Sequence, residues 1–196
     1  MTLLGYQQAL CDLVASPSLC LRVRADAATL DAYDLTDRER RRLSTVVAQP
    51  GMSTSCTLYR VNRITPLYSY LPLTCALLGD DLIVEAERYW SQGKPGDLQF
   101  GPETQRFAQF LRDRFAAGAL ASPYVGEVLE LELAANALRW GADPPRRTVR
   151  FAHEPEPLLA ALAEDRAPPP ELPEGDYLVE LDASGGELRI SALSRR

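Results

Sequence analysis

Residues 59–90 read YRVNRITPLYSYLPLTCALLGDDLIVEAERYW. Two prolines, Pro66 and Pro72, punctuate the stretch. Thr65 followed by Pro66 predicts a helix start, with Thr at the N-cap and Pro at the first helical position, where a missing N–H costs nothing. Leu77-Leu78-Gly79 predicts a helix end, because glycine takes the left-handed conformation that closes one. Asp80-Asp81 then places two acids at the positive end of the next helix. Three short helices joined by tight corners are expected. Their apolar faces cannot be buried within so short a segment, so the rest of the chain must pack around it.

Upstream, residues 3–15 carry apolar side chains at helical spacing, with Gln7, Gln8 and Asp12 on the polar face. Pro17 predicts a stop near Ala15 or Ser16. Residues 18–34 fit either an extended piece, from the alternation of Leu19, Leu21 and Val23, or a helix further on. Thr36-Asp37-Arg38-Glu39 is a capping-box pattern and opens a helix bearing Arg38, Arg40, Arg41 and Arg42. Residues 52–64 predict another helix, with Met52, Cys56, Leu58, Tyr59 and Val61 as core candidates. Arg60, Asn62 and Arg63 are expected either to pair with acids such as Asp80, Asp81 or Glu85 or to contact a partner protein, since Arg and Tyr are enriched at interface hot spots.

Downstream, residues 91–101 (SQGKPGDLQFG) predict a loop. Phe107, Phe110, Leu111 and Phe115 then mark an amphipathic helix that ends at Gly118. Ser122-Pro123 starts a second one, carrying Glu127, Glu130 and Glu132. A boundary is expected at residues 142/143, after which the period changes from helical to alternating. Residues 147–152, 177–182 and 187–192 predict three strands, with Ser184-Gly185-Gly186 as the turn of a hairpin, and residues 154–163 a short helix. The inward sets are Val149 and Phe151, Tyr177, Val179 and Leu181, and Leu188 and Ile190. The expected fold class is therefore α+β: a helical bundle over residues 1–142, then a small winged-helix-like module with a three-stranded antiparallel sheet over residues 143–196.

The stretch at 59–90, with FAQFLRDRF (107–115) and SPYVGEVLELELAANAL (122–138), resembles the helical domain of the HvfC/BufC family and its MbnC relatives. The resemblance spans residues 56–138 and lies in a pattern of helix corners. It implies a non-catalytic partner of a TIM-barrel, multinuclear-iron enzyme that modifies a ribosomal precursor peptide. It places iron in the partner and no cofactor in this chain. It also implies a heterodimer, for which Tyr59, Arg60, Asn62 and Arg63 are the interface candidates. Strand-helix-hairpin modules resemble the winged-helix elements that recognise precursor leaders in such pathways. A leader would add as a strand to an open sheet edge, with backbone bonds supplying affinity. The candidate residues are Thr148, Val149, Arg150 and Phe151 on the first strand and Tyr177, Leu178, Val179 and Glu180 on the second, either of which could be the edge. A winged-helix transcriptional regulator and a helical protein-interaction module are the alternatives.

Composition narrows these further. The 196 residues carry a net charge of −6, which supplies no counterion-release drive toward nucleic acid. Seven basic and ten acidic side chains between Pro144 and Arg196 weaken the DNA-binding alternative. No run of eighteen apolar residues predicts a membrane span, and the N-terminal stretch lacks the basic start of a signal peptide, so a cytoplasmic location is expected. Four separated cysteines and one histidine, His153, offer no metal-ligand spacing, and no nucleophile-base motif occurs. His153 is expected at the surface, at the end of a strand. Catalytic and metal-binding residues are expected to be absent from this chain.

Overall fold

A computed structural model describes residues 3–92, 100–141 and 144–193. Among these residues the chain forms nine α-helices and one three-stranded antiparallel sheet, so the α+β class holds. The helices are α1 (Leu3–Ala15), α2 (Pro17–Ala25), α3 (Asp37–Ala48), α4 (Pro50–Tyr70), α5 (Pro72–Leu78), α6 (Asp81–Ser91), α7 (Phe100–Ala116), α8 (Val125–Arg139) and α9 (Pro155–Ala163); a 3-10 turn spans Ala27–Ala32. The strands are β1 (Arg146–His153), β2 (Glu174–Asp182) and β3 (Arg189–Leu193). Two compact units divide at Ile64/Thr65. The boundary expected at 142/143 lies on residues outside those described, as does most of the loop expected at 91–101.

In the first unit, Leu13, Leu19, Cys20, Val23, Leu43, Val47, Met52 and Cys56 form the core. Residues 18–25 are helical and not extended. Ser16 caps α2 by accepting the Leu19 amide at 3.2 Å, and Pro17 sits in its first turn; these local signals outweigh the alternation of Leu19, Leu21 and Val23. The capping box of α3 forms as expected, with Glu39 reaching back to the Thr36 amide at 2.8 Å. Thr65-Pro66 does not restart a helix: α4 runs continuously to Tyr70 with Pro66 inside it. Leu58 and Val61, expected in the core, are 58% and 49% exposed.

The second unit is built on α8. Val128, Leu131, Ala135 and Leu138 pack with Val149 and Phe151 of β1, Leu158 and Leu162 of α9, and Val179 and Leu181 of β2 in one apolar cluster. The sheet therefore shares its core with the helix that precedes it. Its order is β1-β2-β3, with Val149 opposite Val179 and Thr148 opposite Glu180. Of the expected inward set, Ile190 is 49% exposed. Gly79, at φ +50°, closes α5.

Candidate functional site

The corner at Leu71-Pro72 is held by α8. Asn136 donates its side-chain N–H to the Tyr70 carbonyl at 2.6 Å. One turn away, Glu132 accepts the Leu73 and Thr74 amides at 2.6 and 2.9 Å. One side chain thus serves the last turn of α4, and the other the first turn of α5, where amides lack intrahelical partners. Burial pushes the Glu132 carboxyl up to about 7, against the opposing pull of its bonds to Thr74 and Leu73.

The other acids of α8 are spoken for separately. Glu130 takes a two-point bond from Arg112, at 2.5 and 2.8 Å. Glu127 accepts the Ala152 amide at 2.8 Å and faces His153 Nδ1 at 3.1 Å. His153 is accordingly a part-buried residue rather than a surface one, with Tyr124 edge-on to its ring at 4.8 Å. Burial raises the Glu127 carboxyl, opposed by its bonds to Ala152 and His153. Among the described residues no cluster of three or more His, Cys, Asp or Glu is placed to hold a metal ion.

Of the expected acid partners, Glu85 is buried and is taken within its own unit by Arg114 Nε and Nη2, both at 2.8 Å, and by Arg88. Arg63 is also buried, with its guanidinium 6.0 Å from the centre of the Tyr59 ring. Tyr59 and Arg60 are half-buried and Asn62 is exposed, next to the apolar side chains of Leu58 and Val61. The sequence reading missed these last two as surface residues because the apolar positions on α4 leave open which of them face inward.

The sheet offers one edge beside α8. The Ala183 amide donates to the Pro145 carbonyl at 2.9 Å. Bonded pairs alternate along an antiparallel ladder, so the amides of Arg147, Val149 and Phe151 face β2, whereas those of Thr148 and Arg150 face away from it. At Ala152 the outward amide is already used by Glu127, which closes the far end of the edge. β2 is the middle strand, paired with β1 on one side and over residues 178–182 with β3 on the other. Leu178, Val179 and Glu180 thus cannot receive an added strand; both of their flanks are occupied. Tyr177 lies opposite Phe151 and packs its ring beside the core. Of the eight expected peptide-binding residues, Thr148 and Arg150 present edge groups with no partner among the described residues, while the side chains of Val149 and Phe151 are buried.

A groove of about 630 Å³ follows this edge, lined by Arg112, Glu130, Leu133 and Ala134 on the helical side and by Pro144 and residues 146–150 on the other. It can take an extended chain: backbone groups on one wall, half-buried apolar side chains on the floor, and guanidinium groups at the rim. No protein-family model matches the chain, and no curated protein is significantly similar to it.

Proposed function

We propose that this chain is the non-catalytic partner subunit of a TIM-barrel, multinuclear-iron enzyme, and that it recruits the leader of a ribosomal precursor peptide as a strand added along β1. The observation that carries the reading is the stretch of β1 where Thr148 and Arg150 present backbone groups that no described residue pairs, above a groove that fits an extended peptide. The corner pattern at 59–90 and its resemblance to the HvfC/BufC family support the partnership. The exposed Leu58 and Val61, beside Tyr59, Arg60 and Asn62, supply an apolar and polar face of the kind that protein contacts use. In this reading the partner holds the iron and carries out an oxygen-dependent conversion of a precursor cysteine in the cytoplasm, in the methanobactin-like case to oxazolone and thioamide. The chain positions the substrate and supplies no ligand to the metal.

Co-expression with a candidate iron enzyme tests this. A heterodimer should survive gel filtration, Leu58→Asp with Val61→Asp should dissociate it, and the chain purified alone should hold no stoichiometric iron. Tightly bound iron in the single chain, with turnover, contradicts the reading.

A further inference from the structure

The module that follows α8 is acidic, with ten acids against seven bases, yet Arg146, Arg147 and Arg150 fall within five residues on β1. We infer that the β1 edge selects an extended peptide carrying acidic side chains four residues apart with apolar residues flanking the one midway between them, as in Glu-Val-Thr-Val-Glu. This rests on strand uptake at β1 as proposed above.

The register sets the spacing. A peptide residue opposite Thr148 directs its side chain to the same outer face as Thr148. Its neighbours two residues away on either side then lie opposite Arg146 and Arg150. Acids at those two positions complement both guanidinium groups, and the pattern is the same in either chain direction. The intervening peptide side chains turn toward the groove floor, where Leu133 and Ala134 are half-buried, so apolar residues suit them.

The arginines are available for this. Arg146 bonds Asp182 at 2.9 Å and Arg150 bonds Asp176 at 3.0 Å, but both guanidinium groups are mostly exposed, and exposed pairs exchange at little cost. Arg147 has no ion-pair partner among the described residues. Arg112 is committed to Glu130 and contributes a wall of the groove. The same charges guard the edge against a second copy, because β1 paired with β1 would set arginines against one another.

The test uses the full chain and two synthetic peptides, Ser-Glu-Val-Thr-Val-Glu-Ser and its counterpart with Lys in place of Glu, each read by fluorescence anisotropy at low salt. The Glu peptide should bind about tenfold more tightly. Arg146→Glu with Arg150→Glu, two changes on exposed side chains that leave the core intact, should reverse the preference. Thr148→Pro removes an outward amide without taking a ladder bond and should abolish binding; circular dichroism monitors its fold. Equal affinity for the two peptides, or a preference for Lys, with sensitivity to Thr148→Pro retained, overturns the acidic selection and leaves docking at β1 standing. Binding indifferent to Thr148→Pro in a folded variant overturns docking at this edge, and the selection with it. Binding of neither peptide, or a self-associating chain, also overturns the selection.

Discussion

The Glu127 carboxylate lies 2.8 Å from the Ala152 amide and so ends the open part of β1 from a neighbouring helix. Without it, the outward-facing Ala152 amide would lose its partner within the protein and turn to solvent. Ala152 is itself exposed, so water can take over its amide, and Glu127→Ala should cost about 0.5–1.5 kcal/mol, the net value of one intramolecular hydrogen bond. Urea unfolding measures this, and amide exchange should show the loss concentrated at Ala152 and His153. A uniform loss across the unit would indicate a packing defect.

Glu132 makes stability depend on pH. Burial raises its folded carboxyl to about 7 from an ordinary 4.5. A raised folded value means that its contribution is fully present below about 4.5 and is lost as pH rises through 7. The wild-type chain should therefore lose stability relative to Glu132→Gln across that window, by on the order of 3 kcal/mol. Denaturation midpoints of both proteins at pH 4.5, 6 and 8 check the sign; parallel curves would refute it.

Glu85 is a buried carboxylate held by Arg114 and Arg88. Arg114→Met leaves that charge with one partner, itself half-exposed. A loss of about 3–5 kcal/mol is expected. The double variant Arg114→Met with Glu85→Leu should recover much of it, whereas additive losses would show that the charges do not act as a pair.

Thiol chemistry should separate the four cysteines. Cys11 is exposed, while Cys20, Cys56 and Cys75 are buried. Burial pushes Cys20 up to about 11 and Cys75 up to about 12. One thiol should react quickly with an aromatic disulfide reagent at pH 8, and Cys11→Ser should remove that phase. Fast reaction of a second thiol in the folded chain would contradict the burial of Cys20, Cys56 or Cys75.

The helices and strands were legible where local signals are strong. Thr36 with Glu39, and the alternation around Val149 and Phe151, announce their elements within a few residues. Pro66 misled because a proline after Thr reads as a start, whereas α4 tolerates it inside. The site was legible only in part. Sequence marked β1 and β2 equally, since both alternate; only the strand order shows that Val179 and Glu180 are flanked on both sides. Sequence placed Glu127, Glu130 and Glu132 on one helix without their partners: each answers a group distant in sequence, namely the Ala152 amide, Arg112, and the first turn of α5. No local pattern encodes such partners.

The central claim is that β1 receives the peptide. Cutting the chain after Leu138 would strip α8 of its apolar partners, so the intact protein is the proper reagent. The decisive measurement is amide hydrogen exchange in the full chain, with and without the extended peptide Ser-Glu-Val-Thr-Val-Glu-Ser. The account predicts that bound peptide slows exchange at Thr148 and Arg150, while Val149, already in the ladder, changes little. Protection confined to the helical first unit, or to β3, would contradict it.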